Sequence, residues 1–278
     1  MTRDVPGLII DSHVHIFPEK MMKAVFSYFE KRYDWKLPFS TNPDLLVEYL
    51  KKKEVDRAFA LAYTHKPGLS RSLNRWLADY CSKNPSLIPF GAVHPLDTDL
   101  EEVAAECLDL YHFPGMKLHC LVQQCRPDDE KLFPLYEAII ERSRGMIIHA
   151  GSFPQPAEEH LGIGYVAKLL KRFPTLNLIV PHLGLNDLPA YGELLDAYEG
   201  LFLDTAFVFQ NRIVITPLDD ITRIILAYPD RIIYGSDFPF ILEPLENGTR
   251  RILELDLPAD LYKKIFYGNA TRFLARLS

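Results

Sequence analysis

Two histidines near the N-terminus are separated by a single residue and close an apolar run. His13 and His15 end the segment 8–15, whose sequence is LIIDSHVH. In a β-strand, residues two positions apart point to the same side, so both imidazoles would project together from one strand end. Neutral imidazoles are the commonest metal ligands. The pair therefore indicates a metal site that draws its other ligands from elsewhere in the chain.

Three later apolar runs also end in side chains that can bind a metal. These side chains are His149, His182 and Asp237, in the segments 145–151, 176–184 and 231–239. Each segment is short, rich in β-branched residues and bounded by Gly or Pro, as buried strands are. A fourth run, 115–119, places Lys117 and His119 on one face in the same way. Polar side chains grouped at strand ends that are far apart in sequence predict an active site at the mouth of a parallel barrel.

Three imidazoles and one carboxylate form a set suited to Zn²⁺ or another borderline divalent ion. The set consists of His13, His15, His149 and Asp237. It leaves a coordination position for water, whose pKa a metal lowers toward 7. Asp237 is also expected to move the proton from this water to the leaving group. His182 is expected to orient the water or to polarise the substrate.

The elements that must position these side chains are eight predicted strands that alternate with helices. The strands are predicted at 8–15, 57–63, 87–95, 115–119, 145–151, 176–184, 201–205 and 231–239. Helices are predicted at 19–33, 45–53, 71–84, 100–111, 134–142, 164–173 and 218–227, with a closing pair at 258–277. The alternation predicts parallel pairing through right-handed crossovers, and eight units predict a (β/α)₈ TIM barrel. A doubly wound sheet would instead need a glycine-rich phosphate turn after the first strand.

Composition favours one soluble enzyme-sized domain covering residues 1–278. The 278 residues are 48% hydrophobic and 24% charged, with a net charge of −6, which is ordinary for a globular protein. No basic block stands out, so neither nucleic acid nor a membrane surface is an expected partner. The 4 cysteines form no CxxC pair and are expected to be reduced thiols. With neither a signal peptide nor a membrane span evident, a cytoplasmic location is expected.

Six segments of the chain form one ordered pattern. They are 11–15 (DSHVH), 115–119 (GMKLH), 148–151 (IHAG), 181–184 (PHLG), 234–239 (YGSDFP) and 268–273 (GNATRF). Together they resemble the amidohydrolase superfamily, specifically its amidohydrolase-2 group, over nearly the whole chain. The resemblance implies a metal-dependent TIM-barrel enzyme with metal ligands His13, His15, His149 and Asp237. For His182 it implies a catalytic role beside the metal or ligation of a second metal.

Lys117 has two roles that the resemblance allows. Binuclear members of the superfamily carry a carboxylated lysine on the fourth strand, which bridges two metal ions, whereas sites in the amidohydrolase-2 group are mostly mononuclear. One divalent ion is therefore favoured, Zn²⁺ before Mn²⁺, with Lys117 binding a substrate anion. A second ion bridged by Lys117 is the alternative.

Other side chains near the strand exits are candidates for contacts with a small-molecule substrate. His119 and His65 are expected to meet the carboxylate of an acidic substrate. Further polar candidates are Arg71, Asn74 and His94, and the candidates for an apolar wall around a planar substrate are Phe207, Phe209, Phe238 and Phe240. Aromatic side chains in these positions suit such a wall but are as often plain packing.

The first functional hypothesis is a metal-dependent hydrolase that cleaves a C–N or C–O bond of a small, carboxylate-bearing amide, ester or lactone with metal-activated water. The alternative is a metal-dependent non-oxidative decarboxylase, a lyase, of an aromatic or muconate-like acid, because the amidohydrolase-2 group contains both. The metal ligands do not separate the two. A non-catalytic metal-binding or ligand-binding barrel is the third hypothesis. A homodimer is the base-rate expectation for a soluble enzyme.

Overall fold

An eight-stranded parallel sheet forms the centre of the molecule. The computed structural model describes residues 7–151, 159–209 and 217–277. Each strand pairs with its neighbours in sequence, in the order β1 to β8. The strands are β1 (Ile10–His15), β2 (Arg57–Leu61), β3 (Leu87–Ala92), β4 (Gly115–His119), β5 (Gly145–His149), β6 (Asn177–Val180), β7 (Leu201–Asp204) and β8 (Ile232–Ile233).

The sheet closes between β1 and the segment that follows β8. Val14 pairs in parallel with Phe238. The N–H of Ser12 donates to the carbonyl of Tyr234 at 2.9 Å, and the N–H of His15 donates to that of Phe238 at 2.7 Å. The fold is therefore a (β/α)₈ TIM barrel, which confirms the prediction from the alternating pattern.

Helices surround the barrel. They are α1 (Glu19–Tyr33), α2 (Pro43–Lys52), α3 (Ser70–Lys83), α4 (Leu100–Ala105), α5 (Cys120–Gln123), α6 (Phe133–Glu141), α7 (Ile163–Arg172), α8 (Tyr191–Ala197), α9 (Leu218–Ala227), α10 (Leu245–Leu253), α11 (Ala259–Lys263) and α12 (Asn269–Ala275). A π-helical turn, Glu106–Leu110, extends α4, and another, Lys264–Gly268, joins α11 to α12, so the predicted closing pair is one nearly continuous helical run. In the described parts of the chain, no helix has the length and apolar character needed to cross a membrane.

The interior of the barrel is apolar at one end and polar at the other. Ile147 on β5 belongs to the inner apolar cluster, which Phe273 of α12 also joins from below. Two residues after Ile147 comes His149, and two residues after the inward-facing Phe202 comes Asp204. Because residues two apart share a strand face, the inward positions become polar at the carboxyl ends of the strands. The polar end is therefore the place where a site can form.

The last predicted strand is much shorter than expected. Of the run 231–239, only Ile232–Ile233 is regular strand. Beyond it the backbone turns, and Asp237 has a φ of 72°. An extended strand cannot contain this left-handed conformation. The run 176–184 likewise ends as a strand at Val180 and continues as the 3₁₀ turn His182–Gly184.

The helices α8 and α10 were not expected from the sequence. α8 has seven residues and includes Gly192, and α10 includes Asn247 and Gly248. Glycine and asparagine lower intrinsic helix propensity, so these helices depend on packing more than on local preference. Buried side chains supply that packing; in α10 they include Leu245 and Ile252.

Candidate active site

Three of the predicted metal ligands converge at the polar end of the barrel. His13 Nε2 lies 3.2 Å from His15 Nε2. Asp237 Oδ1 lies 3.1 Å from the His15 nitrogen and 3.4 Å from the His13 nitrogen. All three residues are buried. The first strand and the segment after the last strand thus meet at one point, as the barrel topology predicts.

The hydrogen bonds of the Nδ1 atoms of His13 and His15 show that the Nε2 atoms, which face Asp237, carry lone pairs. His15 Nδ1 lies 3.2 Å from the carbonyl oxygen of Leu61, which can only accept, so Nδ1 carries the proton. His13 Nδ1 donates in the same way to Asp204 Oδ2 at 2.9 Å. Two nitrogen lone pairs and a carboxylate oxygen therefore face one another with no proton assigned between them. This donor set fits a divalent metal ion.

His182 and His149 extend the set of nitrogens. One ligand atom each from His13, His182 and Asp237 lie within 4.8 Å of one another. His182 Nδ1 donates to the carbonyl of Ala206 at 2.9 Å, which leaves its Nε2 with a lone pair. This Nε2 lies 2.9 Å from His149 Nδ1. The assignment of His149 as the fourth metal ligand stays a prediction, as does the role of His182 in catalysis or in binding a second metal.

Burial keeps the imidazoles of the cluster neutral. It lowers the pKa of each of them because desolvation penalises the charged form, and the charge of Lys117 acts in the same direction. The residues affected are His13, His15, His119, His149 and His182. Neutral imidazole is the form that binds metals, so the electrostatics suit the predicted role.

Lys117 and His119 line the same end of the barrel from β4. Lys117 is fully buried, and among the described residues its ammonium has no hydrogen-bond partner. Burial lowers the pKa of Lys117 to about 8, although the carboxylates of Asp204 and Asp237 act to raise it. His119 stacks on His149, its register partner on β5, with ring centroids 4.1 Å apart. Both residues therefore lie where the sequence predicts substrate contacts.

Asp204 is a central residue that the sequence analysis did not identify. Its Oδ2 accepts the hydrogen bond from His13 Nδ1, and its Oδ1 accepts those from the backbone N–H groups of His182 and Ala206, each at 3.0 Å. It thereby fixes the ring of one ligand and the turn that carries another. A signal was present, because Asp204 lies at the end of the apolar run in the predicted strand 201–205, as the identified residues do in theirs.

Replacing Asp204 with asparagine is expected to weaken metal binding by about 10- to 100-fold. The amide keeps the size of the side chain but offers His13 Nδ1 a weaker acceptor than a carboxylate does. The measurement is the dissociation constant for Zn²⁺ and for Mn²⁺ in competition with a chromophoric chelator. Asp230→Asn is the matched control, because Asp230 pairs with Lys264 at the surface. Equal affinities in the Asp204→Asn variant and the wild type would contradict the role of Asp204.

Three non-glycine residues beside the cluster adopt left-handed backbone conformations. They are His182, Phe207 and Asp237, with φ of 60°, 65° and 72°. Such conformations cost energy and persist where the surrounding structure holds them. The N–H of Asp237 donates to the carbonyl of His13 at 2.9 Å, and that of Phe207 donates to the carbonyl of Ser236 at 3.3 Å. The strained positions therefore coincide with the candidate site.

Asp11 ties the first strand to the segment that carries Asp237. Its Oδ1 accepts hydrogen bonds from the backbone N–H groups of His13 and Ser236, both at 3.0 Å. The side chain is fully buried, and burial raises the pKa of Asp11 to about 7. The aspartate that begins the DSHVH segment therefore has a structural role.

Two of the four phenylalanines predicted as a wall contact the cluster. Phe240 stacks on His15 with ring centroids 4.7 Å apart. Phe207 meets His182 edge-on at 6.3 Å. Phe238 instead stacks on Tyr49 of α2, outside the cluster, at 5.2 Å. Phe209 is buried in the main apolar core.

Tyr63 is a second residue that the sequence analysis did not identify. It follows β2 and is 8% exposed, with its ring edge-on to His15 at 5.5 Å and to His119 at 4.6 Å. Burial raises the pKa of Tyr63 above its ordinary value, so its hydroxyl is a hydrogen-bond donor at pH 7. It joins the polar wall of the site on the β2 side.

The two candidates on α3 are occupied by structural contacts. Arg71 forms ion pairs with Asp99 and Glu106 at the start of α4 and in its π-helical extension. Asn74 is buried and bonds both the N–H and the carbonyl of Ala92 on β3. These contacts fix α3 against its neighbours, and the expected role of the two residues in substrate contact stays a prediction.

His65 lies on the exposed loop after β2. The nearby His94 is buried after β3, and burial lowers its pKa, with the charge of His65 acting in the same direction. The N–H of His94 donates to Asp97 at 3.1 Å. No described contact links His65 to the cluster, and its substrate role stays a prediction.

The structure and sequence both match known proteins. A family model described as amidohydrolase matches residues 10–276. None of the curated proteins matches the chain. A solved TIM-barrel protein from Bordetella bronchiseptica is similar, with 20% identity, a TM-score of 0.78 and coverage of 97% of this chain and 99% of that one.

Two further similar structures are those of decarboxylases. One is a 5-carboxyvanillate decarboxylase from Novosphingobium aromaticivorans, complexed with manganese and 4-hydroxy-3-methoxy-5-nitrobenzoic acid, with 18% identity, a TM-score of 0.71 and coverage of 98% and 97%. The other is a 2,6-dihydroxybenzoate decarboxylase from Rhizobium, with 17% identity, a TM-score of 0.68 and coverage of 97% and 98%. At these identities, the likeness establishes the shared fold.

Proposed function

This chain belongs to the amidohydrolase family, whose model spans residues 10–276, and from that premise we propose that it is a metal-dependent non-oxidative decarboxylase of a small aromatic or muconate-like acid. This is the alternative that the sequence left open. The chemistry of the polar cluster supports an acidic substrate, which both reactions allow, and the reactions of similar proteins favour decarboxylation over hydrolysis.

The observation that carries the proposal is the buried ammonium of Lys117 beside the metal-competent cluster. Among the described residues it has no hydrogen-bond partner, and His149 Nε2 is buried without one as well. An unpaired charge is costly to bury, and a carboxylate is the partner that satisfies it best. The site therefore suits an acid whose carboxylate enters between Lys117 and the metal ligands.

The reactions of similar proteins agree with this chemistry. The similar structures from Novosphingobium aromaticivorans and Rhizobium are those of enzymes that decarboxylate aromatic acids. The first contains manganese, which supports a divalent metal here without determining whether it is Mn²⁺ or Zn²⁺. The aromatic side chains Phe207 and Phe240 beside the cluster suit a planar substrate.

Decarboxylation breaks the bond between a carbon atom and its carboxylate, and the carbon keeps the electron pair and gains a proton. A divalent metal held by His13, His15 and Asp237 would bind substrate oxygens and stabilise negative charge. We assign delivery of the proton to Asp237, because its carboxylate lies at the centre of the cluster and its side chain is still 12% exposed. Lys117 attracts the acid, and His182, whose Nε2 lies 2.9 Å from His149 Nδ1, is proposed to act beside the metal.

The test is a product analysis of the metal-loaded protein in D₂O. A panel of hydroxybenzoates and unsaturated dicarboxylic acids is followed by NMR and by CO₂ release. Decarboxylation should release CO₂ and place one deuterium on the carbon that carried the carboxylate. The chelator-treated protein is the control. Hydrolysis of a lactone, ester or amide panel without CO₂ release from any acid would overturn the proposal.

Lys117→Met is expected to raise the KM for the acid by about tenfold or more, because a charge-assisted hydrogen bond to the carboxylate is lost. Methionine has a similar length and no charge, so the packing of β4 is kept. The measurement is the steady-state kinetics of CO₂ release between pH 6 and pH 9. In the wild type, binding should weaken above about pH 8 as the ammonium loses its proton. The variant should lack this weakening, and an identical pH profile would contradict the assignment.

The same substitution is expected to stabilise the metal-free protein at pH 7. The folded-state pKa of Lys117, about 8, lies below its ordinary 10.5, so the unfolded chain binds the proton more tightly. The stability of the wild type should therefore rise with pH between these two values, and that of the Lys117→Met variant should not. Thermal unfolding at pH 7 and at pH 10 measures both effects. A lower melting temperature for the variant at pH 7 would contradict the buried, unpaired charge.

A further inference from the structure

Gln123 connects the exits of three neighbouring strands at the polar end of the barrel. It is the last residue of the one-turn helix α5, which begins directly after β4, and its side chain is buried. Its Oε1 accepts a hydrogen bond from the backbone N–H of His119 at 2.8 Å. Its Nε2 donates to the carbonyl of Thr64, after β2, at 3.0 Å and to that of Val93, after β3, at 2.5 Å. One side-chain amide thus joins β2, β3 and β4.

The orientation of this amide is determined by its partners. A backbone N–H can only donate and a carbonyl oxygen can only accept, so the amide oxygen faces His119 and the amide nitrogen faces the other two strands. The bond to the N–H of His119 resembles one half of a capping box, in which glutamate serves as well as glutamine. A glutamate could not, however, donate to the carbonyls of both Thr64 and Val93. The three contacts therefore account for a glutamine in particular at this position.

The backbone groups that Gln123 holds belong to the polar cluster or adjoin it. His119 is the last residue of β4, and Thr64 directly follows Tyr63. The rings of Tyr63 and His119 meet edge-on with centroids 4.6 Å apart, and His119 also stacks on His149 at 4.1 Å. The hydrogen bonds of Gln123 thus fix the backbone on both sides of the ring pair formed by Tyr63 and His119.

Other contacts hold two of the predicted metal ligands. His13 donates to Asp204 on β7, and the N–H of Asp237 donates to the carbonyl of His13 on β1. These bonds join β1, β7 and the segment after β8. Within the described parts of the chain, the hydrogen bonds of Gln123 reach none of these three. A change at Gln123 is therefore expected to disturb the ring pair and to leave most of the bound metal in place.

We propose that Gln123 is a positioning residue, which holds Tyr63 and His119 in the arrangement that receives an acidic ligand. The inference rests on the proposed function only for the choice of an acid as ligand. Gln123 acts through the ring of His119 and does not touch the ligand itself. Without Gln123, the ring of His119 should lose its hydrogen bond to the charged acid. Such a loss corresponds to about a tenfold weaker affinity.

Ligand binding to the metal-loaded protein tests the proposal without turnover. Gln123→Met keeps the length of the side chain and removes its acceptor and its donors. It should raise the dissociation constant of benzoate about tenfold in calorimetry, with unchanged metal content in elemental analysis. Gln124→Met is the matched control, because it makes the same change in the exposed next residue, and it should bind benzoate as the wild type does. Equal affinities in the Gln123→Met variant and the wild type would overturn the proposal.

A double-mutant cycle shows whether Gln123 acts through His119. His119→Phe keeps a planar ring at the end of β4 and removes the ring nitrogens. In this background, Gln123→Met should cause little further loss of affinity for benzoate, because the group that it positions is already absent. Losses that add in full would show that the two residues act independently, which contradicts a positioning role.

The ring of His119 also gives a readout that needs no ligand. In zinc-loaded protein with ¹³C-labelled histidine, the Cε1–H signal of His119 is assigned by its loss in the His119→Phe variant. The adjacent rings of Tyr63 and His149 shift this signal, so Gln123→Met should move it and Gln124→Met should not. Gln123→Glu is the second variant if the methionine variant does not fold, because it keeps the acceptor for the N–H of His119 and lacks the paired donors. It should move the signal as well.

The outcomes separate the positioning role from the reaction. A moved His119 signal, without CO₂ release from any acid, would support the role of Gln123 and overturn the decarboxylase proposal. CO₂ release together with an unmoved signal in the Gln123 variants would do the reverse. A lower melting temperature of these variants, with the signal and the benzoate affinity unchanged, would show a purely structural role and would also overturn the inference.

Discussion

Asp237→Asn is expected to lower kcat by about 10²- to 10⁴-fold while most of the metal is retained. The amide oxygen replaces the carboxylate oxygen that faces His13 and His15 at 3.4 and 3.1 Å. Asparagine also tolerates the left-handed backbone at this position, where φ is 72°, so the fold should be kept. What the amide cannot do is carry a proton to the reacting carbon. The measurements are kcat for CO₂ release and metal content on the same preparation.

Asp230→Asn provides the matched control for Asp237, since it makes the same chemical change in a half-buried residue that pairs with Lys264 and Arg272, away from the cluster. Its kcat should equal that of the wild type. Full activity in the Asp237→Asn variant, whatever its metal content, would show that Asp237 does not transfer the proton. Loss of activity together with loss of all metal would show that Asp237 acts mainly as a ligand.

His13→Ala is expected to reduce bound metal from about one ion per chain to a small fraction of that, and activity in proportion. The substitution removes one of the two lone pairs that face Asp237 Oδ1 and leaves the buried Asp204 Oδ2 without its donor. Elemental analysis after dialysis measures the ratio. A ratio near two in the wild type would instead favour a second ion bridged by a carboxylated Lys117.

His112→Asn is the control for the loss of a histidine. His112 is exposed, just before β4, and its φ of 55° is one that asparagine tolerates. Its metal content should match that of the wild type. An unchanged metal-to-protein ratio in the His13→Ala variant would contradict the ligand assignment of His13.

The fold and the location of the cluster could be predicted because both depend on local patterns. Each strand is an apolar run, and several of the runs end in a polar inward position, as at His149 and His119. The spacing of two between His13 and His15 was enough to place both rings on one side. Apolar runs and residue spacings involve only neighbours in sequence, so they can be recognised without knowing how the rest of the chain packs.

The residues that were missed depend on contacts that local patterns do not encode. Asp204 acts through His13, which is 191 positions away. Tyr63 ends an ordinary apolar run, and its place beside the cluster comes from ring contacts with His15 and His119. The contacts of Arg71 with α4 and of Asn74 with β3 are likewise invisible in local patterns, which show only polar side chains near a strand exit.

The seam that closes the barrel also brings the predicted metal ligands together, and this has a consequence for the timing of metal binding during synthesis. His15 and Asp237 lie 222 positions apart, and their neighbours Val14 and Phe238 form the bridge between β1 and the segment after β8. A chain still on the ribosome cannot hold the ion until nearly all of the barrel has emerged. Once bound, the ion favours the closed form by mass action and so reduces proteolysis through opened states. If the predicted ion binds, a shortage of the metal is therefore expected to lower the amount of the protein as well as its activity.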